Sequence, residues 1–481
     1  MLRLYNTRSR NVENFAPLRA GEVRVYVCGL TPSAEPHLGH ARSFLFFDVL
    51  RAYLRHLGYR VTYVQNVTDI DDRSIAAARE EGRPWNEVVQ RYYTSFKNSM
   101  RALGVAEPDI EPRATAYVPQ IVAMIERLMD AGHAYVGGDG VYFRVSTFPG
   151  YGKLSGKQTD ELLVGARIAE NEQKLDPLDF ALWKFEKPGE PAWPSPWGAG
   201  RPGWHIECSA MAHELLGEPF DIHGGGTDLI FPHHENEIAQ SESLLPRPPM
   251  ANFWVHGGML NFEQRKMSKS LGNYEPLSEL LARSDPQAIR LLFLQTGYRK
   301  PMNFTEESLA AATAALAKLR KAFRTLAGGA MPGRAGGDFD GIVERVEAAL
   351  DDDMNTSAAL AVLFDAANKA ETYAAGGNAN AAANALTYAL ELLRIVPTAS
   401  WLQESRIDVA VVAARLRERL GEVALLGDDG HGTIAAVVAA RDRARKSKDF
   451  ALADRLRDAL AAEQIELHDT HDGTTWTLAG G

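Results

Sequence analysis

The chain has 481 residues, of which 45% are hydrophobic and 24% charged, and its 52 Lys and Arg against 62 Asp and Glu give a formal charge of −10. This composition indicates a soluble globular protein of roughly two to four domains and excludes the bulk positive charge of a general nucleic-acid binder. No segment approaches the roughly 18 apolar residues of a membrane span and the chain starts without an apolar signal peptide, so we expect a cytoplasmic protein with no membrane partner.

Residues 23–66 predict a strand, a helix and a second strand. Residues 23–28 alternate apolar and polar side chains, a turn with Gly29 and Pro32 follows, and residues 41–57 have helical spacing before a second strand at 60–66. A right-handed crossover between parallel strands is the expected connection. We therefore predict an α/β fold with a doubly wound, Rossmann-like parallel sheet.

The next part of the chain predicts an insertion with irregular connections. Short β-like runs alternate with Gly and Pro over residues 134–154, and residues 187–202 are rich in Pro, Trp and Gly. Residues 198–203 match the Gly-x-Gly-x-x-Gly dinucleotide fingerprint. They follow no predicted strand and no helix is predicted after Pro202, so we reject a dinucleotide site there.

The C-terminal part predicts all-helical domains. Helical spacing runs from about 279 to 327, a Gly-rich linker covers 328–337, and an Ala-rich helical stretch covers 342–393. A basic helix containing residues 441–448 and a β-like tail at 465–478 close the chain. Such a basic run is most often a solvated helix face, but it also suits RNA phosphates.

The first chemical motif is His37, Leu38, Gly39 and His40, in the turn before the helix predicted from Ala41. A helix N-terminus offers unpaired N–H groups and a positive dipole end, so imidazoles that donate hydrogen bonds there suit a polyphosphate. The alternative is two surface histidines around a turn glycine. By itself the motif is weak.

The second motif is the pentapeptide Lys-Met-Ser-Lys-Ser at residues 266–270. Its two cations, Lys266 and Lys269, can close over phosphates and neutralise charge that develops on a leaving pyrophosphate. The alternative is a solvated basic loop. Five specified residues in a row are rare by chance, so we favour the phosphate interpretation.

The third group of residues could bind a metal. Cys28 ends the first strand, and His233 and Glu237 lie at i and i+4, on one face of any helix that starts near Pro232. Together with Cys208 they form a plausible tetrahedral zinc shell. The next pair at the same spacing, His234 and Ile238, could not do so, because isoleucine cannot bind a metal. The alternative is that both cysteines fill the core.

A glycine-rich segment at residues 223–228 is suited to a ligand. Its three glycines permit close backbone approach, and the carboxylate of Asp228 can accept hydrogen bonds from ribose hydroxyls. The alternative is a turn followed by a helix cap.

These motifs resemble the signature of the class I aminoacyl-tRNA synthetases. Four further stretches and the closing segment narrow the resemblance to the cysteinyl-tRNA synthetase family over nearly the whole chain: residues 26–29, 66–72, 203–209, 231–237 and 448–476. One departure is at residues 31–34, where the family has Thr-Val-Tyr-Asp and this chain has Thr-Pro-Ser-Ala. The missing aromatic side chain changes one wall of the pocket.

The resemblance implies an ATP-dependent ligation of L-cysteine to tRNA(Cys) through a cysteinyl-adenylate, by a monomer with one Zn²⁺ per chain and Mg²⁺ accompanying ATP. The implied zinc ligands are Cys28, Cys208, His233 and Glu237. The implied catalytic residues are His37, His40, Lys266 and Lys269. ATP would contact His37, Gly39, His40, Asp228 and Lys269, and the substrate cysteine would lie near Cys28, Thr68, Trp204 and His223.

The resemblance also implies a division of the chain. The expected parts are a catalytic domain in two halves (1–120 and 201–275), a connective insertion (121–200), a helical stem-contact region (276–327), a helical bundle (338–398) and an anticodon-recognition region (399–481). One alternative is a cysteine ligase acting on an amino sugar, which would not need the long C-terminal part. Another is a non-catalytic RNA-binding protein, which would not need the intact motifs.

Overall fold

The computed structural model describes residues 1–157, 173–262, 265–266, 276–332, 337–403, 409–421, 430–463, 465–470 and 473–478. Its contacts divide the chain into two compact units. The first consists of Met1–Gly328 with Pro332–Pro397, and the second of Gly329–Met331 with Thr398–Gly481. Among the described residues, no helix is both long enough and apolar enough to cross a membrane.

The first unit combines several small sheets with helices. Its strands are β1 (Arg3–Asn6), β2 (Asn11–Asn14), β3 (Glu22–Leu30), β4 (Arg60–Val67), β5 (Ala134–Val136), β6 (Gly140–Phe143), β7 (Phe180–Phe185), β8 (Gly200–Pro202), β9 (Phe220–Gly226), β10 (Ala251–Gly257), β11 (Leu260–Phe262), β12 (Arg265–Lys266) and β13 (Met302–Phe304).

The helices of this unit fall in three groups along the chain. Those of the α/β part are α1 (Leu38–His56), α2 (Asp72–Glu81), α3 (Trp85–Ala102), α4 (Val118–Asp130), α5 (Trp204–Leu216) and α6 (Glu235–Glu242). Those that follow are α7 (Leu277–Arg283), α8 (Pro286–Leu294) and α9 (Glu306–Ala327). The last group is α10 (Ile342–Asp351), α11 (Thr356–Asn368), α12 (Ala370–Ala375) and α13 (Ala379–Leu392).

The central sheet is parallel, in the order β10, β9, β3, β4. Helix α1 connects β3 to β4 on one side, whereas β9 and β10 extend the sheet on the other side of β3. The predicted Rossmann-like fold is therefore confirmed. In sheets of this kind ligands bind outside the carboxyl ends of the strands where the order reverses, which here are β3 and β9.

Helix α1 begins at Leu38, earlier than the start predicted at Ala41. The two histidines of the motif cap its first turn, because each accepts a hydrogen bond from a backbone N–H that the helix leaves unpaired. The motif therefore forms the helix terminus itself rather than the turn before it. Histidine is not among the residues that normally signal a cap, which is why the sequence placed the start too late.

The insertion is more regular than predicted. Strands β5, β6, β7 and β8 form an antiparallel sheet in chain order. The expectation that no helix follows Pro202 was wrong, because α5 starts at Trp204 with no side-chain cap to announce it. The rejected dinucleotide fingerprint nevertheless lies on an antiparallel strand, and a Cβ on Gly203 would stand 2.0 Å from the carbonyl oxygen of Ala181. These glycines serve strand packing.

A buried ionic cluster joins α1 to the helices that follow the sheet. The carboxylate of Asp48 accepts hydrogen bonds from Arg51 (3.2 Å), Arg290 (2.9 Å) and Arg394 (3.3 Å). The Asp48 side chain is 1% exposed. Burial raises the pKa of Asp48, but Arg290 and Arg394 outweigh it and lower the pKa below the ordinary value. The aspartate is therefore ionised and central to the cluster.

We expect Asp48→Asn to lower the free energy of unfolding of the first unit by about 3 to 5 kcal/mol, because it leaves buried arginines without a counter-charge. Urea titration followed by circular dichroism measures this. The matched control is Asp352→Asn, whose partner Arg3 is half exposed, and about 0 to 1 kcal/mol is expected there. Equal effects of the two substitutions would contradict the assigned role of the cluster.

The second unit is small and helical with a terminal hairpin. Its elements are α14 (Val409–Leu420), α15 (Gly430–Lys446), α16 (Phe450–Ala462), β14 (Ile465–Thr470) and β15 (Gly473–Leu478), with β14 and β15 antiparallel. The predicted basic helix and β-like tail are confirmed. Trp476 is half-buried and packs against the apolar core of the unit.

Candidate active site

The two histidines of the first motif carry their proton on the same ring nitrogen. Nδ1 of His37 accepts from the N–H of Gly39 (3.1 Å), and Nδ1 of His40 accepts from the N–H of His37 (3.2 Å). Because Nδ1 is an acceptor in both rings, the proton of each neutral imidazole is on Nε2. Burial lowers the pKa of His37 to about 4 and that of His40 well below its ordinary value. Both rings are therefore uncharged hydrogen-bond donors at a helix N-terminus.

Gly39 makes this arrangement possible. A Cβ at this position would stand 2.9 Å from two atoms of the His37 ring. The rings of His37 and His40 stack with their centroids 3.9 Å apart. A larger residue between them would push His37 out of its capping position.

Asp228 lies close to this helix terminus. It belongs to a short 3₁₀ turn, Thr227–Leu229, directly after β9, and its negative charge acts on the imidazole of His37. The structure therefore brings the predicted ribose-binding carboxylate and the first histidine motif together at the end of the sheet.

The lysine motif lies almost wholly outside the described residues. The backbone of Lys266 belongs to β12 and pairs with Asn261, but the side chains of Lys266 and Lys269 are not described. The chain that follows is anchored beside the histidines, since Pro276 forms a bridge with His37. The backbone before the motif is thus held in the small sheet of β12, β11 and β13, and the backbone after the motif is held at the N-terminus of α1.

The predicted metal-binding residues come together in the core. The sulfur atoms of Cys28 and Cys208 are 3.8 Å apart, and Oε1 of Glu237 lies 3.5 Å from the sulfur of Cys28 and 2.9 Å from Nε2 of His233. Cys208, His233 and Glu237 are 1% exposed or less, and Cys28 is 7% exposed. Cys28 comes from β3, Cys208 from α5, His233 from the chain entering α6 and Glu237 from α6 itself, and only the fold brings them together.

These distances fit the zinc ion that the resemblance implies. At a zinc–sulfur bond of about 2.3 Å, two thiolates at the tetrahedral angle lie about 3.8 Å apart, and a thiolate and a carboxylate oxygen about 3.6 Å apart. The measured 3.8 and 3.5 Å agree with both values. Nε2 of His233 and Oε1 of Glu237 lie 2.9 Å apart, at hydrogen-bond distance, so His233 would give up this contact and its Nε2 proton on binding zinc.

The charges of this cluster also suit a cation. Burial raises the pKa of Glu237, but His223 and His233 outweigh it and bring the pKa to about 2. Burial also raises the pKa of Cys208, but hydrogen bonding to Cys28 and the neighbouring His233 lower it to about 6. Burial lowers the pKa of His233, but Glu237 and Cys208 outweigh it and raise the pKa to about 10, so the protonated imidazole supplies the positive charge that these buried acidic groups need. A bound metal ion would take over that role.

A further histidine belongs to this cluster, and the sequence prediction missed it. Nε2 of His234 lies 3.3 Å from the sulfur of Cys28 and 3.9 Å from Oε1 of Glu237. By distance alone, His234 could join Cys28, His233 and Glu237 around an ion. The i, i+3 spacing of His234 and Glu237 was the available signal, because positions three apart also share a helix face.

The residues predicted near the substrate surround the same cluster. Nε2 of His223 lies 2.9 Å from Oε2 of Glu237, and its buried Nδ1 has no hydrogen-bond partner among the residues that the structure describes. The ring of Trp204 stacks on that of His233 at 4.4 Å. His223 is fully buried and is therefore not a surface histidine.

Thr68 and the altered turn complete the surroundings. Thr68 follows β4, donates its backbone N–H to Leu30 (3.0 Å) and accepts a hydrogen bond from Asn66 (3.2 Å). In the altered turn, the hydroxyl of Thr31 accepts from Arg73, whose guanidinium lies 5.6 Å from the Trp204 ring. An arginine and a tryptophan thus stand beside the turn that lacks the family's aromatic residue.

Comparisons with known sequences agree with one another. Residues 14–314 match the family described as tRNA synthetases class I (C) catalytic domain, and residues 345–396 match the DALR domain. A cysteine–tRNA ligase of Alkalilimnicola ehrlichii is 48% identical over 478 residues, which cover 99% of each chain. One from Pseudomonas aeruginosa is 45% identical over 488 residues, which cover 100% of each.

Solved structures with the same fold are more distant in sequence. Methionyl-tRNA synthetase of Mycobacterium tuberculosis in complex with methionyl-adenylate superposes with a TM-score of 0.56 at 17% identity, over 82% of this chain and 94% of that one. A LeuRS of Agrobacterium radiobacter in a ternary complex has a TM-score of 0.57 at 12% identity, over 81% and 85% of the two chains. This likeness concerns the fold alone.

Proposed function

Because the chain belongs to the cysteine–tRNA ligases, a family of class I aminoacyl-tRNA synthetases, we propose that it joins L-cysteine to tRNA(Cys) in two steps. In the first, the carboxylate of cysteine attacks the α-phosphorus of ATP and releases pyrophosphate, giving cysteinyl-adenylate. In the second, a hydroxyl of the terminal adenosine of the tRNA attacks the carbonyl carbon of cysteinyl-adenylate, so that an ester forms, the acyl–phosphate bond breaks and AMP leaves.

The first step needs positioning rather than a nucleophilic side chain. A carboxylate is ionised near pH 7, so no general base has to activate it. The neutral Nε2–H groups of His37 and His40 are suited to donate to phosphate oxygens, and the N-terminus of α1 favours negative charge. Asp228 stands where a ribose could be held, and Lys266 and Lys269 would neutralise the leaving pyrophosphate. ATP would arrive with Mg²⁺ bound mainly through its phosphates.

Selection of cysteine rests on one observation, the buried pair of thiols 3.8 Å apart with Glu237 and His233 beside them. A zinc ion held by Cys28, Cys208, His233 and Glu237 would favour the thiolate of cysteine over the hydroxyl of serine, because it lowers the pKa of a bound thiol and prefers sulfur. His223 and Trp204 would line the site that receives the side chain, and the orphaned Nδ1 of His223 is free to bond a ligand.

The second unit carries a surface suited to the tRNA. Arg443, Arg445, Lys446 and Lys448 are exposed at the end of α15, and Phe450 directly after them is 63% exposed. Cations bind RNA phosphates and an exposed aromatic ring can stack on an unpaired base. Arg441 is different, because it is buried and bonds to Thr474 within the unit. We propose that this surface binds tRNA(Cys).

We expect the purified protein to exchange pyrophosphate into ATP with cysteine and not with serine, and to charge one species in a mixture of tRNAs. Radiolabelled cysteine and sequencing of the charged tRNA measure this. If the protein exchanges pyrophosphate into ATP but transfers cysteine to an amino sugar and not to tRNA, the result would favour the alternative of a cysteine ligase acting on an amino sugar. Absence of both activities in the folded, zinc-loaded protein would contradict the proposed function.

A further inference from the structure

A row of hydrogen bonds leads from the first sheet of the protein to the proposed zinc ligand Cys28. The hydroxyl of Thr7 lies 2.7 Å from Nδ1 of His256, and Nε2 of His256 lies 2.7 Å from Nδ1 of His234. Nε2 of His234 then lies 3.3 Å from the sulfur of Cys28. His256 is near the end of β10, and the row links four separate segments of the chain.

The positions of the protons in this row follow from counting donors. Each contact needs one proton, and the two nitrogens of His234 and His256 that face each other can share only one. If His256 donates to His234, then His234 must carry its own proton on Nε2 and donate to the sulfur of Cys28. In the reverse arrangement His234 donates to His256, His256 donates to Thr7, and Nε2 of His234 has a free lone pair.

The sulfur of Cys28 distinguishes the two arrangements. A zinc-bound thiolate carries no proton, so its contact of 3.3 Å with Nε2 of His234 needs the proton on that nitrogen. In the reverse arrangement two lone pairs would face each other there. The first arrangement is therefore favoured, and in it the hydroxyl of Thr7 donates its proton to Nδ1 of His256, its hydrogen-bond contact among the described residues.

We propose that Thr7 and His256 are positioning residues that hold His234 with its proton on Nε2, so that His234 donates a hydrogen bond to the thiolate of Cys28 instead of binding the metal. This inference rests on the proposed zinc site. It gives the two adjacent histidines different roles. His233 is the metal ligand, and His234 donates the hydrogen bond that lowers the energy of the electrons on the Cys28 sulfur.

The surroundings of His234 agree with this role. The side chain of His234 is fully buried, and its ring packs against Trp254, with centroids 5.3 Å apart. A tightly packed ring has a fixed orientation, as the outer partners of metal ligands generally have.

The experiment uses the full chain with Co²⁺ in place of zinc. The charge-transfer band from sulfur to Co²⁺ reports the energy of the thiolate, and the d–d bands report the number of ligands. A hydrogen bond lowers the energy of the sulfur electrons, so losing it moves the charge-transfer band to longer wavelength. We expect this shift in His256→Leu and in Thr7→Val, with unchanged d–d bands and a zinc dissociation constant raised about tenfold.

Two matched controls accompany these variants. Thr7→Ser keeps the hydroxyl and should keep the wild-type spectrum. His133→Leu removes a histidine that makes a similar contact of 2.9 Å with Thr147 in the insertion, and it should also leave the spectrum unchanged. The decisive test is the His234→Leu background, in which His256→Leu and Thr7→Val should have no further effect because they act through His234.

The outcomes separate this inference from the zinc proposal. A wild-type chain without a sulfur charge-transfer band would overturn the metal site and this inference together. A wild-type band that stays unchanged in folded His256→Leu and Thr7→Val would overturn the inference and leave the zinc site intact. A change in the d–d bands of His234→Leu would show that His234 is itself a ligand, which also overturns the inference.

Discussion

Cys208→Ser should remove zinc from the protein and abolish activation of cysteine. A serine hydroxyl is not deprotonated as readily as a thiol and binds zinc poorly, so the shell loses one of its two sulfur ligands. Loss of an outer partner of a metal ligand costs about 10- to 100-fold in affinity, and loss of a ligand should exceed that. We therefore expect cysteine-dependent exchange of pyrophosphate into ATP to fall more than about 100-fold, as measured together with zinc content.

The control for this substitution is the next residue. Ser209 is fully buried on α5 and its hydroxyl has no hydrogen-bond partner in the described part of the chain, so Ser209→Ala should change neither zinc content nor exchange. Urea titration of both variants checks that the fold is intact. Full exchange activity in a Cys208→Ser protein that has lost its zinc would contradict the role of the metal in selecting cysteine.

Removing the second unit should spare adenylate formation and prevent charging of tRNA. The first unit contains all the described side chains proposed to bind ATP, cysteine and zinc, and it extends to Pro397. A chain that ends at Pro397 keeps Val396, whose carbonyl accepts a hydrogen bond from Gln287 (2.8 Å). We expect exchange within about twofold of the wild type and charging reduced more than about 100-fold, since phosphate contacts supply much of the affinity for RNA.

A charge reversal tests the same surface in the full chain. The triple substitution Arg443→Glu, Arg445→Glu and Lys446→Glu should raise the KM for tRNA and weaken its dependence on salt, with exchange unchanged. The control is Arg457→Glu on α16, an exposed arginine already paired with Asp454 and Asp458. Charging at the full rate by the shortened chain would show that the second unit has been assigned the wrong role.

Local patterns predicted much of the fold. The alternation of residues 23–28 and 60–66 identified β3 and β4, and the helical spacing after residue 342 identified α10 to α13. The errors concern places where short-range signals were absent. Helix α5 starts without a capping side chain, and α1 is capped by histidines, which are not usual caps.

The candidate site was also predictable in part. The i, i+4 spacing of His233 and Glu237 and the small number of cysteines were sufficient to propose a metal shell, and the structure brings Cys28 and Cys208 into it. His234 and His256 could not be found in the same way. Their roles depend on contacts between residues that are far apart in sequence, and no periodicity reports such contacts.

The sequence by itself determined which groups are available: two thiols, paired histidines at a helix start, and a cationic loop. Residue type and near-neighbour spacing define these, since helix and strand geometry fix which side chains share a face over a few residues. Only the tertiary structure decided that Thr7, His256 and His234 form a row ending at Cys28. The reason is physical: the direction of a hydrogen bond depends on every partner in the row, and the fold brings those partners together from separate elements.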